Sequence, residues 1–224
     1  MRKHTFEIGE YYHIYNRGVD KRNVILDEED SRRFMRSLIE FNTTDSIGSI
    51  YENSFRKKLP NQKLGGSTSK LVTIIAHCIN PNHFHLLLTP VVENGIQEFM
   101  RKMGGYTMYF NEKNKRSGAL FQGRYKSKHI QGDKYLLHLS AYINMNNRDL
   151  FGGSTSKLSQ SSFEEYVGDA TKKGICDVGI VLDQFPSREK YRKFALESWA
   201  DIQKRKKELK LDELDFLPWD NFTI

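Results

Sequence analysis

The chain of 224 residues carries a formal net charge of +7, has a pI of about 9.2 and contains only two cysteines. This length suits one large domain, or one domain with a smaller appendage, and the distant positions of Cys78 and Cys176 exclude a disulfide scaffold and a zinc finger. The sequence also lacks the apolar run of roughly 20 residues that crosses a membrane and the apolar centre of a signal peptide, so we expect a cytoplasmic protein with no membrane partner.

The first predicted elements are a strand and a helix. The aromatic and β-branched run YYHIYNR from Tyr11 predicts a strand that ends at Gly18. The segment DEEDSRRFMRSLIEF offers Asp27 as an N-cap and places Phe34 and later apolar residues at helical spacing, which predicts an amphipathic helix. The polar stretch 42–70 then predicts a loop.

A hairpin, a helix, a strand and a further helix follow. The apolar runs LVTIIAHCIN and HFHLLLT are joined through the turn signal NPN, so they predict two antiparallel strands. Asn94 starts a helical pattern, GRYKSKHI alternates as a basic strand, and Asp133 opens the helix KYLLHLSAYINMNN. This order predicts an α+β fold, namely a ferredoxin-like antiparallel sheet with helices on one or both faces.

The sequence GGSTSKL occurs twice, at residues 65–71 and 152–158. It is either a flexible linker or the product of a short DNA element that inserted twice at loops. The second copy predicts a boundary between a domain of residues 1–150 and a C-terminal helical extension of residues 159–224. We expect the extension to dock on the domain through an apolar stripe, which consists of Tyr191, Phe194, Ala195, Leu196 and Trp199. Its basic end, QKRKKELK, is expected to stay in solvent or to contact phosphate.

Two histidines alternate across a phenylalanine in the strand-like run PNHFHLLLTP. Side chains two apart on a strand share a face, so His83 and His85 present their imidazoles side by side while Phe84 points away. This is good chelating geometry, since neutral imidazole is the commonest protein metal ligand. Two histidines on a solvated sheet face are the alternative. A cupin, a two-histidine phosphoesterase and a zinc protease each need histidine patterns that this chain lacks.

The helix YLLHLSAYINMNNRD offers further polar groups. Tyr142 and Asn146 lie one turn apart on one stripe, and His138 lies one turn before Tyr142. If this stripe faces His83 and His85, the site combines a metal, an amide oxygen and a phenol. A buried, hydrogen-bonded tyrosine is the structural alternative for Tyr142. His138 could assist proton transfer, but we expect it to face solvent instead.

Four blocks, HIYNRG, PNHFHLLL, LFQGRYKS and YLLHLSAYINMNNRDL, resemble the single-tyrosine HUH transposases of the IS200-like superfamily, specifically the REP-associated tyrosine transposases. They occur in the same order and at similar spacing over most of residues 10–150, and the tail resembles the extension of that group. The resemblance implies that His83, His85 and Asn146 bind a divalent metal and that Tyr142 is the nucleophile. Asn147 stands where the family usually has proline.

The resemblance also implies the reaction. A phenol has a pKa near 10, so it is a weak nucleophile until its proton is lost and the phosphodiester is polarised. Mg²⁺ or Mn²⁺ suits such a mixed nitrogen and oxygen site. The expected product is a 5′-phosphotyrosine with a free 3′-OH, which a second 3′-OH can reverse.

The expected partner is single-stranded or hairpin DNA of the repetitive extragenic palindrome type. Aromatic and cationic residues are interleaved near the start of the chain and in the strand GRYKSKH, a mixture that stacks bases and contacts phosphates. The alternative for each position is that the aromatic residue belongs to the core, or that the charged residue is only solvated, without contact to DNA. The candidate DNA-binding residues are Tyr15, Arg17, Arg22, Arg124, Lys126 and Lys128.

Two functions of different class remain open. The first is an enzyme, a DNA strand transferase and endonuclease that cleaves and rejoins palindromic repeats as a monomer or homodimer. The second is a domesticated, non-cleaving nucleic-acid-binding protein with the same fold. The presence of His83, His85 and Tyr142 together favours the enzyme, because a binding module needs no such set.

Overall fold

The computed structural model describes residues 5–50, 69–148, 156–172 and 174–209. Its strands are β1 (Tyr11–Arg17), β2 (Val72–Ile79), β3 (His83–Pro90), β4 (Lys126–Ile130) and β5 (Gln160–Ser161). They form one sheet in the order β4-β1-β3-β2-β5, and every pairing is antiparallel. The predicted hairpin is therefore present as β2 and β3, and β3 lies in the middle of the sheet.

The helices are α1 (Glu28–Glu40), α2 (Gly95–Lys113), α3 (Asp133–Met145), α4 (Phe163–Val167), α5 (Gly179–Leu182) and α6 (Arg188–Glu208). Asp27 caps α1 as predicted, since its carboxylate accepts a hydrogen bond from the backbone N–H of Asp30 at 2.9 Å. Strands and helices follow the predicted order, and the first four strands have the ferredoxin-like arrangement. The α+β fold class is confirmed.

Helices cover both faces of the sheet. On one face, Ile14 and Leu86 pack with Phe34 of α1 and Tyr106 of α2. On the other, buried residues of the sheet and of α3, α4, α5 and α6 form a second cluster: Cys78, Leu87, Leu139, Ile143, Phe163, Val181, Tyr191 and Trp199. Burial of this apolar surface is the main favourable contribution to folding on each face, and the C-terminal helices supply much of it on the second face.

The apolar stripe of α6 docks on the core at most, but not all, of the expected positions. Tyr191, Ala195 and Trp199 are buried, whereas Leu196 remains 38% exposed. The expectation that the whole basic end stays in solvent or on phosphate is wrong for Lys206, which is only 8% exposed. A lysine can be buried when its aliphatic stem packs and its ammonium finds a polar partner.

Both copies of GGSTSKL lie mostly outside the described residues, and so does most of the polar stretch that follows α1. No helix in the described ranges is both long enough and apolar enough to span a membrane.

Candidate active site

His83 and His85 lie on the same face of β3, as the alternation predicts. The neighbouring strand places Arg17 opposite His83 and Tyr15 opposite His85. Both histidines are buried, with ring centroids 5.1 Å apart and ring planes at 84°. Phe84 points to the other face. Because both imidazoles are buried, the alternative of two histidines on a solvated face is wrong.

The ring of His83 is oriented by asparagines. Its Nδ1 lies 2.5 Å from Oδ1 of Asn82, and since an amide oxygen only accepts, Nδ1 carries the proton and Nε2 of the neutral ring is an acceptor. Nε2 lies 3.0 Å from Oδ1 of Asn146, which is also an acceptor. The amide nitrogen of Asn80 lies 3.0 Å from Nε2 and donates to Oδ1 of Asn146 at 2.8 Å. Two electron-pair donors therefore converge at the end of α3.

The ring of His85 is oriented by a third histidine. His13 Nε2 lies 2.9 Å from Nδ1 of His85, and the rings of His13 and Tyr15 both lie close to that of His85, at centroid distances of 5.1 and 5.9 Å. Burial, reinforced by the charges of neighbouring His13, His83, Lys206 and Arg17, holds the pKa of His85 well below its usual value. The neutral ring is the form that binds metals. Its other nitrogen, Nε2, is buried and has no hydrogen-bond partner within the part of the chain that the structure describes.

These donors fit a divalent cation. Adjacent ligands of an octahedral ion with bonds of about 2.1 Å lie about 3.0 Å apart, which is the separation of His83 Nε2 and Asn146 Oδ1. The unpartnered Nε2 of His85 supplies a further donor on the same side of the sheet. Mixed nitrogen and oxygen donors without sulfur suit Mg²⁺ or Mn²⁺ better than they suit a soft metal ion.

Tyr142 projects from α3 into this cluster. It is only 3% exposed, its ring meets the ring of His85 edge to face at a centroid distance of 5.4 Å, and Trp199 packs 6.1 Å away. Its hydroxyl oxygen accepts a hydrogen bond from Nζ of Lys206 at 3.2 Å. The same ammonium lies 4.9 Å from the centre of the phenol ring, within the range of a cation–π contact.

His138 is buried, not solvent-facing. It is 8% exposed, its Nδ1 lies 3.1 Å from the hydroxyl of Ser198, and its ring packs 4.9 Å from that of Phe194. The expectation of a solvent-facing ring is therefore wrong, because α6 covers this side of α3. Burial lowers the pKa of His138.

Four of the six candidate DNA-binding residues lie on the sheet face that carries His83 and His85. Tyr15 and Arg17 of β1 pair in register with β3, and Lys126 and Lys128 of β4 face Tyr15 and His13. The Lys126 ammonium lies 5.9 Å from the Tyr15 ring. Arg17 is buried, whereas both lysines are exposed. Aromatic and cationic groups thus border the histidines.

The other two candidates lie elsewhere. Arg22 is exposed after the turn that follows β1, with its guanidinium 3.8 Å from the carboxylate of Asp20. Arg124 borders a groove on the opposite face of the sheet, beside Asn16, Phe84 and Phe121. Both arginines belong to basic runs of the sequence, but in the fold neither lies on the sheet face that carries His83 and His85.

Sequence reasoning missed four residues that contact the site: His13, Asn80, Asn82 and Lys206. His13 carried a usable signal, because it lies two residues before Tyr15 on a predicted strand and so shares its face. Asn80 and Asn82 belong to NPN, where asparagine is already explained by the turn. No local pattern indicates that Lys206 is near Tyr142, since 64 residues separate them.

Residues 48–146 match the model of the IS200-like transposase family. This segment contains β3 with both histidines and α3 with Tyr142 and Asn146, so the resemblance to IS200-like transposases that the motifs indicate is confirmed there. Among solved structures, the chain is similar to a REP-associated tyrosine transposase bound to a REP hairpin, at 15% identity and a TM-score of 0.45, over 79% of this chain and 96% of that one. No curated protein matches the chain.

Proposed function

We propose that this protein is a metal-dependent single-stranded DNA transesterase that cleaves and rejoins hairpin or palindromic DNA through a 5′-phosphotyrosine. The observation that carries the proposal is the convergence of His83 Nε2 and Asn146 Oδ1, 3.0 Å apart, beside the Tyr142 phenol. Both are acceptors, and the Asn80 amide donor beside them holds them at the separation that adjacent ligands of a divalent ion have.

His83, His85 and Asn146 would hold Mg²⁺ or Mn²⁺. When bound, the ion polarises a phosphate oxygen and offsets developing negative charge. The protein's own groups prepare this site in advance: Asn82 fixes the proton of His83 on Nδ1, His13 orients His85, and the Asn80 amide fixes the Asn146 oxygen. Such supporting hydrogen bonds keep ligands in position and tune their basicity.

Tyr142 is the proposed nucleophile. Its oxygen attacks the phosphorus of a phosphodiester, a tyrosine–phosphorus bond forms, and the bond to the 3′ oxygen breaks. The phenol gives up its proton and the departing 3′ oxygen gains one, so the step is neutral overall. The Lys206 ammonium, 3.2 Å from the phenol oxygen, stabilises the charge that develops there. Because the phosphotyrosine retains the bond energy, the 3′-OH of a second strand can reverse the step.

The substrate is proposed to be single-stranded or hairpin DNA. Lys126 and Lys128 supply exposed cations beside Tyr15 on the face of the sheet that carries the histidines. Stacking on the aromatic ring and contact with phosphates bind single strands without requiring a duplex groove. In this proposal residues 1–150 carry the catalytic groups, and the exposed Lys204 and Lys207 of α6 add backbone contacts.

The test is to incubate the full chain with single-stranded oligonucleotides from repeats that flank its own gene, with Mg²⁺, and to look for a protein–DNA adduct on a denaturing gel. The proposal predicts an adduct that survives denaturation, together with a free 3′-OH fragment. Tight binding without any adduct or cleavage, across these oligonucleotides and with either Mg²⁺ or Mn²⁺, would instead identify a non-cleaving nucleic-acid-binding protein.

A further inference from the structure

A second cluster of metal-binding side chains joins β2, α4 and the segment before α5. It consists of His77, Glu165 and Cys176, whose ligand atoms all lie within 4.8 Å of one another. The cysteine is held near β2 because the backbone N–H of Asp177 donates to the carbonyl of Ile74 at 2.8 Å. Residues from two distant parts of the sequence thus present a nitrogen, an oxygen and a sulfur to one point.

The imidazole of His77 is buried beside the carboxylate of Glu165. It is 2% exposed, and among the described residues neither ring nitrogen makes a well-formed hydrogen bond. Nε2 lies 3.5 Å from Oε1 of Glu165. This distance is long for a hydrogen bond, but it is close to the ligand–ligand edge of about 3.3 Å in a tetrahedral zinc site with bonds of about 2.0 Å.

The second oxygen of Glu165 fixes the carboxylate in place. Oε2 accepts a hydrogen bond from the backbone N–H of Cys176 at 2.9 Å, which leaves Oε1 turned toward His77. The segment before the cysteine wraps closely around this carboxylate, since a Cβ at Gly174 would meet Oε2 at only 1.8 Å. A carboxylate held by a backbone donor in this way is typical of an oriented metal ligand.

We propose that His77, Glu165 and Cys176 bind a transition metal ion of the Zn²⁺ class, at a site separate from His83 and His85. A thiolate, a neutral imidazole and a carboxylate together carry two negative charges, which balance one divalent ion, and sulfur and nitrogen donors select Zn²⁺ over Mg²⁺ or Ca²⁺. On binding, the Cys176 S–H proton is released to solvent and the sulfur forms the metal bond. Water completes the four-coordinate shell.

The proposed site has a structural consequence. It would link β2 to α4 and to the segment before α5, and so help to hold the C-terminal helices that complete the second core. Any ligand that binds the folded chain and not the unfolded chain raises its stability. The inference does not depend on the proposed DNA chemistry, because none of the three ligands belongs to that site.

The test uses the full chain with Co²⁺ as a spectroscopic probe and Zn²⁺ as the competing ion. A cobalt–thiolate bond gives a charge-transfer absorption that imidazole and carboxylate ligands do not give, so the signal reports a cysteine. We expect one Co²⁺ per chain with this absorption, loss of the band on addition of Zn²⁺, no band in Cys176→Ala, and an unchanged band in Cys78→Ala. The two variants are matched, because Cys176 and Cys78 are the only cysteines in the chain.

A second measurement needs no variant. Zn²⁺ should slow alkylation of Cys176 in the unmodified chain by about tenfold or more, because a metal-bound sulfur is not free to attack. It should also raise Tm by about 5 to 10 °C when free Zn²⁺ exceeds Kd about 100-fold. The proposal is overturned by the absence of the band with unchanged alkylation, or by a band that persists in Cys176→Ala.

Discussion

The ammonium of Lys206, near the end of α6, donates a hydrogen bond to the hydroxyl oxygen of Tyr142 on α3 at 3.2 Å, and both side chains are buried. A charged donor on a phenol oxygen stabilises negative charge on that oxygen, the more so where water is scarce. The C-terminal helix thereby contributes a charged group to the proposed nucleophile.

Replacing Lys206 by Met should slow formation of the protein–DNA adduct by about 10- to 100-fold, because the charge on the attacking oxygen loses its partner. DNA affinity should change little. Single-turnover assays on denaturing gels measure the rate, and Lys193→Met is the matched control, since Lys193 is an exposed lysine of the same helix that pairs with Glu197. An unchanged or faster rate in Lys206→Met would mean that Lys206 only covers the tyrosine.

The two histidines of β3 should govern the metal requirement. His83→Ala or His85→Ala is expected to lower cleavage by about 100-fold or more at ordinary Mg²⁺ concentrations, with part of the loss recovered by Mn²⁺, which binds nitrogen-containing sites more tightly. His129→Ala serves as control, because His129 lies on β4 and contacts Glu10 instead. Full cleavage by the unmodified chain in excess EDTA would exclude the metal.

Asn80 should act through the ligands that it orients. Asn80→Ala removes the donor that lies 2.8 Å from Asn146 Oδ1, so the Mg²⁺ concentration needed for half-maximal cleavage should rise by about 10- to 100-fold. At saturating Mg²⁺ the rate should return close to that of the unmodified chain. A Mg²⁺ titration distinguishes this from general damage, which would lower the saturating rate and leave the midpoint in place.

The cations of β4 should contribute to binding and not to chemistry. Lys126→Gln with Lys128→Gln is expected to weaken binding to single-stranded DNA and to flatten the plot of log K against log salt by about 0.7 for each phosphate that the variant no longer neutralises. Lys193→Gln, on α6 and paired with Glu197 at 3.7 Å, is the control. Binding is measured across a series of salt concentrations. If the slope of log K against log salt is the same for the double variant and the unmodified chain, Lys126 and Lys128 do not contact phosphates.

The parts of this molecule that the sequence predicts are those set by local periodicity. The alternation in β3 places His83 and His85 on one face, the helical repeat of α3 places Tyr142 and Asn146 one turn apart, and the NPN turn predicts the hairpin. Each of these relationships spans only a few residues, so the local geometry of the backbone determines it.

The parts that could not be predicted depend on contacts between distant segments. The sequence favours a solvent-facing His138, because nothing near this residue in the chain indicates that α6 packs over α3. The burial of Lys206 follows from the same packing. Likewise, Cys176 lies in no metal-binding spacing, and only the docking of α4 and the following segment on β2 brings it to His77. Such contacts require the complete fold.

The most direct test of the account is to identify the residue that carries the DNA. The full chain is incubated with Mg²⁺ and a cleavable oligonucleotide, the adduct is digested, and mass spectrometry locates the nucleotide-modified peptide, with Tyr142→Phe and Tyr135→Phe in parallel. We predict a 5′-phosphate linkage on Tyr142, complete loss of adduct in Tyr142→Phe with DNA binding retained within about threefold, and an undiminished adduct in Tyr135→Phe. An adduct that persists in Tyr142→Phe, or a modified peptide that lacks Tyr142, would contradict it.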